Sequence, residues 1–106
     1  MSATLVAVKA LVASGDALVS AHGYDELAAD DILSTDVLKG IETAELVEDY
    51  PNAAKGPSVL VLQKDTDDRP IHVVWGIPKG RTRPAVLVTA YRPDPSRWSG
   101  DFMERT

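Results

Sequence analysis

Residues 69–92 read Arg69-Pro-Ile-His-Val-Val-Trp-Gly-Ile-Pro-Lys-Gly-Arg-Thr-Arg-Pro-Ala-Val-Leu-Val-Thr-Ala-Tyr-Arg92, and the rest of the chain can be ordered around them. Two apolar runs, 71–77 and 85–91, flank a short basic loop that carries Lys79, Arg81 and Arg83. The runs are rich in Val, Leu, Ile, Trp and Tyr, side chains that suit a pleated, half-buried surface. Pro78, Gly80 and Pro84 punctuate the connection. The reading is an antiparallel β-hairpin with a cationic tip. His72 sits in its first strand, and Tyr91 and Arg92 close its second. Groups able to handle an anion thus lie on or beside one hairpin.

A strand sends successive side chains to opposite faces. Ile71, Val73 and Trp75 then share one face, and His72 and Val74 the other. Strict alternation in the second strand sets Val86, Val88, Ala90 and Arg92 against Ala85, Leu87, Thr89 and Tyr91. Register decides whether His72 meets Tyr91 or Arg92, and the sequence leaves it open.

Upstream, Ser58–Lys64 is apolar on both parities, as a central strand is. Glu45–Tyr50 alternates polar and apolar and stops at Pro51. Asp65-Thr-Asp-Asp68 supplies a tight turn. Before these strands the period changes. Residues 2–13 predict a helix with Leu5, Val8 and Val12 on one stripe, ended at Gly15. Residues 17–20 are a short strand or the beginning of the next helix. Residues 24–30 predict a helix, and another starts at Ser34 as N-cap, with Val37, Leu38 and Ile41 on its apolar stripe. Pro93-Asp-Pro95 ends the sheet and leaves Arg97-Trp98 near a short tail. Helices followed by strands predict an α+β fold, with N-terminal helices packed on one face of a four-stranded antiparallel meander. The opposite face would be open to a small molecule or a polymer.

At 106 residues the chain makes one domain. It has no cysteine, which excludes disulfides, thiolate metal sites and a cysteine nucleophile. Its start has no basic region before an apolar run, so no signal peptide is read. No apolar run approaches the ~20 residues of a membrane span. The expectation is a cytoplasmic protein with no membrane partner. Net charge is −5, but residues 1–54 hold ten acids against Lys9 and Lys39, while 55–106 hold nine bases against six acids. One face could meet an anionic partner, or the acidic helices could simply solvate themselves. The acidic balance argues against strong non-specific nucleic-acid binding.

His72 stands among apolar strand neighbours, where an imidazole can be tuned for proton transfer or can serve as a core histidine bonded to a backbone carbonyl. His22, near the second helix, lines a groove or stays structural. Two histidines and scattered carboxylates make no metal spacing, so no metal and no cofactor is expected. Lys79, Arg81 and Arg83 neutralise phosphates or form ordinary surface, and Arg92 could steady charge on a pentacoordinate phosphorus. Trp75 and Trp98 stack bases or serve as core and as a lid over the sheet edge. No Gly-rich phosphate loop, nucleophile elbow or paired-carboxylate motif is present.

Taken in order, Ser20-Ala-His22, Asp31-Ile32, Glu48-Asp-Tyr-Pro51, Arg69-Pro-Ile-His-Val-Val74, Val86-Leu-Val-Thr-Ala-Tyr-Arg-Pro-Asp94 and Trp98 resemble the bacterial domain-of-unknown-function family 4258. The resemblance covers residues 16–98, with 1–15 an added helix and 99–106 a tail. That family is similar in turn to the RelE-like and BrnT-like toxins of toxin–antitoxin pairs, small α+β ribonucleases. The resemblance implies a RelE-like sheet and metal-independent RNA cleavage, in which a ribose 2′-hydroxyl attacks the adjacent phosphate. It makes His72 the base or acid, Tyr91 a second acid or positioner, and Arg92 a stabiliser with Lys79 or Arg81. It makes Lys79, Arg81, Arg83 and Trp98 the RNA contacts, and it implies RNA or the ribosome and a small antitoxin as partners. The rival reading is a non-catalytic protein-interaction or regulatory module. That reading predicts a buried and bonded His72, dispersed cations and an exposed apolar patch. Edge strands of a small open sheet also predict a homodimer through a sheet edge.

Overall fold

The computed structural model describes residues 2–106. In chain order its elements are α1 (Ala3–Ala13), β1 (Ala17–Val19), α2 (Ala21–Ala29), α3 (Ser34–Gly40), a 3₁₀ turn at Ile41–Thr43, β2 (Glu45–Tyr50), β3 (Ser58–Lys64), β4 (Pro70–Gly76) and β5 (Ala85–Tyr91). The fold is α+β. Strands β2 to β5 form the expected antiparallel meander, but the sheet has five strands in the order β1-β5-β4-β3-β2. The extra strand is β1, parallel to β5 with Ala17 opposite Ala85. Three residues carry too little pattern to announce a strand. Their place is set by bonds to β5 instead: the Ala85 amide donates to the Asp16 carbonyl and the Ser20 amide to the Leu87 carbonyl, each at 3.0 Å.

The helices cover one face. Val59, Val61, Ile71, Val73, Trp75, Ala85, Leu87 and Ala90 meet Val8, Leu27, Val37 and Ile41 in a single buried cluster. Removing that apolar surface from water is the main favourable term for the fold. One polar side chain is built into the cluster. Gln63 is 2% exposed; its amide donates to the Val37 carbonyl at 2.8 Å and its oxygen accepts from the Trp75 indole at 2.9 Å. That pair of bonds ties α3, β3 and β4 together and leaves no buried amide unpaired. Helix α2 lies so close to β5 that a Cβ on Gly23 would stand 2.8 Å from the Leu87 carbonyl oxygen. Leu33, not Ser34, occupies the N-cap of α3 and makes no side-chain cap bond. The tertiary contacts of Val37 position this short helix without the cap.

A β-bulge interrupts the hairpin between β4 and β5. His72 pairs with Tyr91, Val73 with Ala90 and Val74 with Thr89, whereas Trp75 pairs with Leu87. Val88 is the extra residue, and it reverses the parity of everything after it. Ala90 therefore joins Leu87 in the core, and Tyr91 goes to the other face. The bulge carbonyl is used: the Ser20 hydroxyl donates to Val88 O at 3.1 Å while accepting from the Gly23 amide, so one serine caps α2 and pins the bulge. Beyond Pro95 the chain turns back on itself through a bridge between Trp98 and Arg105.

Candidate functional site

The face of the sheet away from the helices gathers most of the polar chemistry. Alternation places Glu48 and Tyr50 from β2, His72 from β4 and Tyr91 from β5 on this side. Leu60 and Leu62 share it and are 2% and 8% exposed, although no helix covers them. The returning residues 93–106 lie against this end of the face, on His72 and Glu48.

His72 is 0% exposed. Its Nε2 lies 2.8 Å from the Phe102 carbonyl oxygen and its Nδ1 lies 3.2 Å from the Tyr91 hydroxyl. A carbonyl only accepts, so the neutral ring carries its proton on Nε2 and takes the Tyr91 O–H at Nδ1. Phe102 holds a left-handed φ of 62° to present that carbonyl. The Trp98 ring meets the imidazole edge-on, with centroids 4.3 Å apart. Burial lowers the His72 pKa below the usual imidazole value, and the Arg105 charge adds to this. The Phe102 carbonyl and Glu48 oppose the shift without reversing it. Burial likewise pushes the Tyr91 phenol up.

Arg105 closes the cluster. Its Nε and Nη2 donate to the two Glu48 oxygens at 3.0 and 2.9 Å, and its guanidinium lies 4.7 Å over the Trp98 ring. The Tyr50 hydroxyl donates to Glu48 as well. These Arg105 and Tyr50 bonds hold the Glu48 carboxyl below the ordinary carboxylate range. Beside the tail lies a cleft of about 490 Å³ lined by Tyr91, Arg92, Arg97, Trp98 and Arg105, among others.

The residues singled out from sequence are thereby sorted. His72, Tyr91 and Trp98 come together. Arg92 leaves the strand on the opposite parity from Tyr91: its amide donates to Asp30 and its guanidinium pairs with Asp65, each at 2.8 Å. Burial works against the Asp65 charge, but the Arg69 and Asp67 amides and Arg92 outweigh it and keep that carboxyl low. Lys79, Arg81 and Arg83 sit beyond the other end of the hairpin strands, which lies four residues or ~14 Å along β4 from His72. Arg83 is bonded there to Asp16 through two nitrogens. The basic hairpin, His72 and Arg92 thus do not converge on one concave site. Trp98 is 6% exposed and offers no ring face for a base. His22 is exposed and sits 3.6 Å from Glu26 one helical turn on.

Glu48, Tyr50, Arg97 and Arg105 were not identified from the sequence. For Glu48 and Tyr50 a signal existed, since alternation in β2 puts them on one face. Nothing local marks Arg105 as a partner for a residue 57 positions away.

At the far end the same face is open. A groove of about 300 Å³ is lined by Val74, Gly76, Ile77, Pro78, Val86 and Val88, with Lys55 on its wall. Val88 is 39% exposed. The Lys79 amide donates to the Lys55 carbonyl at 3.0 Å, which brings the backbone of the hairpin tip up to this end of the groove. Gly56 lies against that corner with φ +123°, and a Cβ there would fall 2.0 Å from the Ile77 carbonyl oxygen. Among the described residues no group of three metal-binding side chains occurs, and no helix is long and apolar enough to cross a membrane.

No curated protein and no solved structure matches the chain. A family model does match, over residues 19–92, which is more than two thirds of the length and runs from the end of β1 to the residue after β5. The chain belongs to the domain of unknown function family DUF4258.

Proposed function

We propose that this protein is a non-catalytic interaction module whose open sheet face receives an acidic polypeptide segment with apolar side chains. The observation that carries the reading is the groove of Val74, Ile77, Val86 and Val88 with the Lys55 cation on its wall, next to the exposed basic tip of the hairpin. Exposed apolar surface rimmed by charge of one sign is a partner site in many soluble proteins. The cationic rim selects acidic flanks and speeds their encounter. The toxin-type ribonuclease reading needs a base with an accessible nitrogen and cations within reach of one phosphate. His72 has both nitrogens engaged and no exposed surface, and the cations of the hairpin loop stand at the other end.

The test has two arms. Labelled single-stranded RNA is incubated in EDTA with the wild type and with His72→Ala. The expected result is no cleavage by either; cleavage by the wild type alone, with cyclic-phosphate ends, would overturn the module reading in favour of the ribonuclease. In the second arm, a synthetic peptide with two apolar side chains between acidic flanks is titrated beside its lysine-flanked twin. The acidic peptide binds, loses affinity as salt rises, and loses about tenfold on Val88→Glu, the effect of a buried unpaired charge at a contact. Equal binding of both peptides, or indifference to Val88→Glu, removes the reading.

A further inference from the structure

The tail is divided from the rest of the fold in a particular way. Every group on the sheet side of its contacts, Glu48, Tyr50, His72 and Tyr91, lies within the residues the family model matches, and every group on the tail side lies beyond them. The tail offers three things: a carbonyl to His72 Nε2, an indole edge to the imidazole, and a guanidinium to the Glu48 carboxylate. These are the contacts by which a sheet face grips a peptide. They are few, and the outermost is exposed. Arg105 is 62% exposed in its side chain, and the tail's remaining bonds run within itself, as from the Ser99 amide to Glu104 O at 2.7 Å and from the Thr106 amide to Arg97 O at 3.0 Å. Pro93 and Pro95 stiffen the connection, and the cleft beside Trp98 leaves room for exchange.

We infer that the Glu48–His72–Tyr91 end of this face is a receptor for a polypeptide segment carrying an aromatic ring and an arginine, and that residues 93–106 occupy it in cis and keep it closed. This site is distinct from the Val74–Val88 groove and stands without it. A partner segment of the same chemistry competes with the tail, and the apparent affinity of the closed protein is reduced by the fraction of time the tail is off.

The experiment titrates a fluorescent peptide of residues 93–106 against the chain of residues 1–106. The Arg105→Ala chain, its tail loosened, binds the peptide about tenfold more tightly than the wild type, because the occluded fraction falls. Adding Glu48→Ala removes that gain. A peptide with alanine in place of Trp98 or Arg105 does not bind the opened chain. The inference is overturned if a folded Arg105→Ala chain binds no better than the wild type, or if the altered peptides bind as well as the native one. Should Arg105→Ala not fold, amide exchange on the wild type decides. The Ser99 and Thr106 amides exchange about a hundredfold faster than Val61 and Val73 if the tail opens by itself. Equal protection would mean that it opens only with the whole molecule.

Discussion

The two faces of this sheet are filled in different ways. The helix face is filled by apolar side chains from all five strands and three helices, with one glutamine satisfied inside it. The other face is filled at one end by residues 93–106 and by charge-assisted hydrogen bonds, and at the other end not at all. Apolar contacts are non-directional and sum over the whole area, so the helix face unfolds as a unit. The tail face depends on one buried indole and a few directional bonds, the outermost of them at the exposed Arg105, so it can open locally. The same sheet carries a permanent side and a negotiable side.

The sharpest way to break that contrast is to remove one tryptophan from each face. Trp75→Ala vacates a fully buried ring and strands the Gln63 oxygen; the expected loss is about 4 kcal/mol in denaturant unfolding. Trp98→Ala detaches the tail and costs less, roughly 2 kcal/mol for the burial forfeited, with the helix core still unfolding in one transition. Equal losses would make the two faces one cooperative unit.

Acid should separate the faces next. The His72 pKa is lowered in the folded protein, chiefly by burial. The folded state therefore favours the neutral ring, and its contribution is complete above the ordinary imidazole value near ~6.5 and is lost as pH falls from there toward the lowered value. The charged or titratable groups around the ring are Glu48, Arg105 and Tyr91. Glu48, also lowered, loses its contribution only below the ordinary carboxylate range near ~4.5. Exchange of the Ser99 and Thr106 amides should rise in the first window while Val61 and Val73 stay protected. His72→Gln, which keeps a donor for the Phe102 carbonyl but does not titrate, should flatten that dependence. A pH-independent tail in the wild type would sink this account.

The smallest effect is expected at the hairpin tip. Lys79→Ala with Arg81→Ala touches no buried group, so the unfolding midpoint should stay where it is while affinity for the acidic peptide drops. A fall in stability without a fall in affinity would turn the tip from a binding rim into a structural part.

The helix face was readable in the sequence because both of its periods are local. Leu5, Val8 and Val12 announce α1, and Ile71, Val73 and Trp75 announce the buried side of β4. The turn at Asp65–Asp68 and the stop at Pro51 were readable for the same reason. Strand β1 was left open between a short strand and a helix start, since three residues hold no period and their partner is 68 positions away. The site was half readable. His72 and Tyr91 stood out as residue types, and Trp98 as a lid. The loop cations misled, because a hairpin puts its tip at the greatest distance from its open end, where His72 lies. Arg92 misled for a different reason: alternation ran through the Val88 bulge, which no residue in Val86-Leu-Val-Thr89 betrays. Arg105 was silent because ion pairing across a fold has no local signature.

That bulge also governs how relatives of this chain should be aligned. A sequence one residue shorter in β5 keeps every following side chain on its side of the sheet only if the gap is placed at Val88. A relative of equal length but with a regular ladder would pair the counterpart of Ala90, rather than that of Tyr91, with its histidine. Comparing such sequences column by column would then credit the histidine with a phenol where its cross-strand neighbour carries only a methyl group, and would misassign the ancestry of that neighbour.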